Sequence, residues 1–245
     1  MCLLEGVRLI ETALAAGARF GDVFVTEAAR GAHRSRALIA GLLEAGASVF
    51  DVSERVLRSV SATETPQGVV ATAFIPTTQV RAFDDVTALL VADRIGDPGN
   101  MGTMVRTAAA VGAGLWATAG SADLFDPKTL RATAGTVFVL PVRQRVGADE
   151  VIAWSRRGGR RLLAADADGA SRYDEADWTS PFTLVIGSEA HGVHPRLLDA
   201  ADAVISLPRA PGVESLNAAV TAAVCLFEAD RQRRARGAEP PPANL

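Results

Sequence analysis

Three segments concentrate residues that could do chemistry. In DRIGDPGNMGTMVRTAAAVGAG (93–114), Pro98, Gly99 and Gly102 shape a tight turn, Asn100 stands at a helix entry, and Arg106 lies inside that helix. The planar donor fork of an arginine suits phosphate and oxygen-rich ligands. The same residues would equally make an ordinary turn, a capped helix and a solvated arginine. LVIGSEAHGVHP (184–195) runs into Gly187, Ser188, Glu189 and Gly192, where the missing side chains let backbone approach a ligand. Glu189 also reads as a helix N-terminal acid, and His191 and His194 as surface residues flanking the loop. ISLPRAPGVESLNAAVTAAVCLFEADRQRR (205–234) ends a strand at Pro208 and opens a long helix at Ser215, a common N-cap type. Asn217 in the first turn is less expected from propensity. None of the segments contains G-x-G-x-x-G, G-x-x-x-x-G-K-[ST] or G-x-S-x-G, so dinucleotide, P-loop and hydrolase-nucleophile chemistry lose support.

Each segment follows an apolar run and precedes a helical pattern. Ligands of open α/β sheets bind beyond the carboxyl ends of strands, so the three loops are expected to converge. Periodicity predicts strands at 22–27, 47–52, 68–75, 86–94, 114–119, 136–142, 160–166, 182–187 and 203–208. It predicts helices at 5–17, 34–46, 53–60, 101–112, 127–134, 149–158, 195–201 and 215–236. The resulting fold class is α/β: a small α/β domain over 1–78, a linker at 79–84, a parallel-sheet domain over 85–238 and a frayed tail at 239–245. The last helix places Val220, Val224 and Phe227 on one face, suited to core or dimer packing.

The 245 residues, 49% hydrophobic and 22% charged, fit a globular chain that needs no disulfide or metal staple. Two distant cysteines and three scattered histidines argue against a zinc site or other metal centre and for a reducing, cytoplasmic setting. No run is long and apolar enough for a membrane span, and no signal peptide opens the chain. The net charge of −3 excludes a general basic coat, so nucleic acid would need a local grip. Only Lys128 among the 25 basic residues is a lysine. Arg30, Arg34 and Arg36 cluster in RGAHRSR, read as an exposed loop able to grip RNA phosphates, or as a merely solvated one. Arg131 is assigned to RNA as well.

In order and spacing, N-M-G-T-M-V-R-T-A, I-G-S-E-A-H-G-V and L-P-…-V-E-S-L-N-A-A-V resemble the three motifs of the SpoU/TrmH family of RNA ribose 2′-O-methyltransferases, in the SPOUT superfamily. The resemblance spans about residues 84–236. The N-terminal L-L-E-G-V-R-L-I-E-T-A-L and V-L-R-S-V-S-A-T-E-T-P-Q-G-V resemble a ribosomal-protein-like substrate-binding domain, although only four residues precede Glu5 where such domains carry a basic stretch and a strand. The resemblance implies a SPOUT-type C-terminal domain tied in a trefoil knot, S-adenosylmethionine as cofactor and a homodimer formed through that domain. It puts cofactor contacts on Gly187, Leu207 and Leu216, the catalytic arginine on Arg106, and the remaining motif roles on Asn100, Glu189, Ser215 and Asn217. The implied substrate is large-subunit ribosomal RNA, in a housekeeping or antibiotic-resistance role. Rival readings are a tRNA ribose methyltransferase, a non-catalytic RNA- or ribosome-binding module of the same fold, and a Rossmann-type nucleotide enzyme. The missing fingerprint speaks against the last, and the intact Arg106 and S-L-N against the non-catalytic module.

Overall fold

The computed structural model describes residues 1–76 and 80–237. The expected tail (239–245) and the first residue of the expected linker, Gln79, lie outside the described residues. The described residues form two compact units, one of residues 1–76 with 124–139, the other of residues 80–123 with 140–237.

The first unit opens with strand β1 (Cys2–Glu5), helix α1 (Val7–Ala15), β2 (Phe20–Val25), α2 (Glu27–Gly31), α3 (His33–Glu44), β3 (Ser48–Asp51), α4 (Glu54–Val60) and β4 (Val69–Ala73). Its four-stranded sheet has the order β1-β4-β2-β3. β2 and β3 pair in parallel, while β4 runs antiparallel to both β1 and β2. α1 buries Leu9, Ile10 and Ala13; of Val7, Ile10 and Leu14, the stripe its periodicity predicts, only Ile10 is fully buried and the other two are half-buried. β1 was not expected. It is a four-residue edge strand with no periodicity long enough to read, and pairing with β4 defines it. RGAHRSR is not a loop. The Thr26 hydroxyl caps α2 by accepting from the Ala29 amide at 3.3 Å. Extended Ala32 (φ −74°, ψ 135°) separates α2 from α3, so Arg30 is helical in one and Arg34 and Arg36 in the other.

The second unit begins with a 3-10 turn, Val80–Phe83. Phe83, expected in a linker, is fully buried, with its ring edge-on to Trp116 (5.5 Å between centroids) and Trp154 (6.4 Å). There follow β5 (Ala88–Asp93), α5 (Pro98–Ala110) and β6 (Gly114–Thr118). The chain next returns to the first unit for α6 (Pro127–Thr133) and a 3-10 turn, Thr136–Phe138. The strand expected at 136–142 is therefore displaced. Ala134 and Gly135 are left-handed (φ 50° and 89°), which curls the chain instead of extending it, and β7 starts only after Pro141, at Val142–Val146. Then come α7 (Ala148–Arg157), β8 (Arg161–Ala165), β9 (Ser171–Arg172), β10 (Phe182–Gly187), α8 (Pro195–Asp199), β11 (Ala203–Ser206) and α9 (Ala218–Ala235).

All seven strands of this unit pair in parallel in the order β7-β6-β5-β10-β8-β11-β9. Every residue of β5 is buried, as its continuous apolar run requires in a sheet covered on both faces. The chain builds outward from β5 through β6 to β7, then crosses to the other side of β5. β5 and β10 therefore flank a topological switch point, where α/β sheets open a crevice for ligands.

Candidate active site

The carboxyl ends of β5, β10, β8 and β11 lie side by side, and a buried carboxylate fixes the first two. Asp93, the last residue of β5, is 2% exposed and pairs in register with Gly187 at the end of β10. Its Oδ1 accepts from the Thr118 hydroxyl at 2.8 Å and its Oδ2 from the His194 backbone amide at 2.7 Å. The next residue, Arg94, adopts a left-handed φ of 57° and donates from Nη2 to the Gly192 carbonyl at 3.2 Å. Asp93 and Arg94 thus tie the glycine loop 187–194 to its neighbouring strand. Gly187 is obligatory for packing: a Cβ there would collide with the backbone of Gly192 and Val193.

Above this frame the three motif loops meet in one hydrogen-bond network. Asp97 caps α5 by accepting from the Asn100 amide at 2.7 Å, and Pro98 occupies the first turn. Asn100 Nδ2 donates to Glu189 Oε1 at 2.6 Å. Asn217 Nδ2 donates to Asn100 Oδ1 at 2.9 Å and reaches Glu189 Oε1 at 3.4 Å. Glu189 Oε1 also accepts from the Ala218 amide at 3.3 Å. One carboxylate oxygen thereby joins α5, the loop after β10 and the start of α9. Asn217, not Ser215, caps α9: its Oδ1 accepts from the Ala219 and Val220 amides, which explains an asparagine that helix propensity disfavours.

Beneath the network lies an open cleft lined by strand ends and by the loop before α9. Gly187, Leu207 and Leu216 all line it, together with Glu189 and Ser215. Apolar walls come from Ile186, Ile205, Ala165 and Ala167, and polar groups from Asp166 and Arg209. Mostly apolar walls with a few polar groups suit a nucleoside-sized ligand. Arg106 stands apart from both cleft and network. It is on the exposed face of α5 that also carries Gly99, Thr103 and Ala110, and no hydrogen bond or ion pair joins its side chain to another described residue. Cys225 in α9 is no rival nucleophile, since burial pushes its thiol up to about 12.

Residues 87–227 match the model of the SpoU rRNA Methylase family, and residues 1–71 that of the MRM3-like substrate binding domain. The chain belongs to the SpoU rRNA methylase family. It is 35% identical over 228 residues to the 23S rRNA (guanosine(2553)-2′-O)-methyltransferase RlmP of Bacillus subtilis, covering 92% of this chain and 86% of that one. It is 35% identical over 179 residues to the 23S rRNA (uridine(2479)-2′-O)-methyltransferase of Streptomyces viridochromogenes, covering 69% and 62%. Among solved structures, the SpoU methyltransferase AviRb of Streptomyces viridochromogenes, in complex with S-adenosylmethionine, superposes with a TM-score of 0.84 at 30% identity, covering 95% of this chain and 90% of that one.

This SpoU family chain thus brings Asn100, Glu189, Asn217 and the three cleft residues together, and leaves Arg106 facing outward. Sequence reading missed Asp93, Thr118 and Arg209, whose partners are remote in the chain. In the first unit, Arg30 Nε lies 2.6 Å from Asp51, and Arg34 donates to both carboxylate oxygens of Glu11. Arg131 comes within 3.9 Å of Glu5, and Arg36 is exposed. Burial works to raise the Glu5 carboxyl, but the Ser61 and Thr63 hydroxyls, the Ala62 amide and Arg131 hold it below the ordinary range.

Proposed function

We propose that this protein transfers the methyl group of S-adenosylmethionine to a ribose 2′-hydroxyl of large-subunit ribosomal RNA. One observation carries the reading: all three motif loops converge on Glu189 above a cleft that contains Gly187, Leu207 and Leu216. The cleft fits the cofactor: the Gly187 position has no room for a side chain, apolar strand ends suit an adenine, and the site is open at one side. When bound, S-adenosylmethionine supplies an electrophilic methyl on a positively charged sulfur.

The chain's own residues align the acceptor. Asn100 and Asn217, locked by Glu189, orient the ribose, and Ser215 at the cleft rim adds a hydroxyl contact. Glu189 serves as an organiser, since its Oε1 accepts three donors. Arg106 stabilises the alkoxide that develops as the hydroxyl loses its proton to an RNA phosphate or water. A guanidinium is a poor base but a strong donor. Its outward position supports delivery into the active site of a second copy. Exposed Val213, Leu216 and Val220 at or beside the start of α9, with exposed Phe227 in its middle, support a homodimer through this unit. The SpoU family match over residues 87–227 supports the trefoil knot of this fold. A ribosomal substrate supports a cytoplasmic protein.

Single-turnover methylation of 23S rRNA with radiolabelled cofactor tests the reading. Arg106→Ala is expected to lose about a hundred- to thousand-fold in rate, the usual cost of a transition-state contact, with cofactor affinity unchanged. A near-wild-type rate removes Arg106 from the chemistry, and no transfer by the wild-type protein to large-subunit RNA refutes the substrate.

A further inference from the structure

β8 runs between β10 and β11, so the strand carrying neither motif is the centre of the cleft. Ala165, its last residue, pairs with Ile186 on one side and Ile205 on the other. Asp166, one residue on, therefore stands level with Gly187 and Ser206, between the two strand ends that supply Gly187 and Leu207. It lines the cleft, flanked by Ala165, Ala167, Ile186 and Ile205. Its Oδ1 accepts from the Asp168 amide at 3.0 Å, which fixes the carboxylate in a local turn. Its Oδ2 has no hydrogen-bond donor among the described residues and lies 3.8 Å from where a Gly192 Cβ would be. In this half-buried residue, among apolar walls and held still by its turn, Oδ2 is left free to accept from a ligand.

From this geometry we infer that Asp166 recognises the ribose of the cofactor, its Oδ2 accepting from the 2′- and 3′-hydroxyls. The assignment rests on S-adenosylmethionine being the occupant. The position of the acid within the cleft selects the diol over the other donors. The ribose is the middle of the cofactor, between adenine and sulfur, and Asp166 is the middle of the three strand ends. The amino-acid end carries two charges and suits the part of the cleft beside Arg209, which donates to the Ala167 carbonyl at 2.8 Å and to the Glu214 carbonyl. A carboxylate accepting from a vicinal diol is chemistry that Rossmann folds also use at a strand end. Here the strand, the neighbouring loops and the glycine signature all differ, so no sequence fingerprint announces it.

The test is a double-mutant cycle between protein and ligand. Binding of S-adenosylhomocysteine and of its 2′,3′-dideoxyribose analogue is measured by titration calorimetry for the full chain and for Asp166→Ala. Asp166→Asn is included because its side-chain oxygen keeps the turn to Asp168. The wild-type protein is expected to prefer the diol about 10- to 100-fold, the range for hydrogen bonds to a charged group. In Asp166→Ala the preference should collapse to less than about threefold, with the dideoxy analogue bound nearly as in the wild type; Asp166→Asn should fall between. The assignment is overturned if the wild type does not discriminate, if the variants discriminate as it does, or if both ligands weaken equally. Absence of any S-adenosylhomocysteine binding by the wild type would instead strike the cofactor reading itself.

Discussion

Asp93→Asn isolates the clamp on the glycine loop. The substitution keeps shape and volume but leaves one acceptor where the carboxylate has two. Thr118 Oγ1 donates to one oxygen and the His194 amide to the other. Whichever way the new amide turns, its NH2 faces one of those donors. At 2% exposure no water can substitute, so a buried donor goes unsatisfied, at about 1–3 kcal/mol. Loss of the charge-assisted bond brings the total to about 2–4 kcal/mol. At about 2–4 °C per kcal/mol for a chain of this length, the melting midpoint should fall by about 4–16 °C. Thr118→Val should cost less in the Asp93→Asn background than in the wild type, because the two residues share one bond. Cofactor affinity should fall too, since the loop holding Gly187 and Glu189 loses its anchor. Scanning calorimetry and cofactor titration are the assays. A midpoint within about 1 °C of wild type, with affinity unchanged, would refute the clamp.

Three further outcomes are expected. Phe227→Asp places a charge in the exposed stripe of α9, and light scattering should show a monomer with methylation lost; an active monomer contradicts the shared site. Replacing Arg30, Arg34 and Arg36 by alanine should lower the slope of log RNA affinity against log salt by up to about 0.9 for each duplex phosphate contact removed. An unchanged slope would leave Arg30 and Arg34 to their Asp51 and Glu11 partners. Glu5 is held below its ordinary value of 4.5 when folded, so its contribution is present above that value and disappears as pH falls through the folded one. Glu5→Gln should therefore destabilise the protein at about pH 7 and flatten its acid sensitivity below about pH 5, read from urea midpoints; parallel pH profiles would refute this.

The sequence by itself determined the α/β class, the parallel second sheet and the loops that matter. Continuous apolar runs force strands covered on both faces, and the turns that follow them stand at the carboxyl ends where open α/β sheets bind ligands. The resemblance of its motifs to the SpoU/TrmH family singled out Gly187, Leu207 and Leu216, and all three line the cleft. Tertiary structure decided what periodicity cannot carry. β1 exists because β4 pairs with it, and the strand expected at 136–142 gave way to left-handed Ala134 and Gly135. Residues 124–139 joined the first unit although they lie inside the second in sequence. Asp93 and Asp166 look like ordinary strand-end acids until folding brings His194, 101 positions away, to the one, and leaves the other with an oxygen that no described residue donates to. Hydrogen bonds between remote segments are the product of sheet order, which local spacing does not encode.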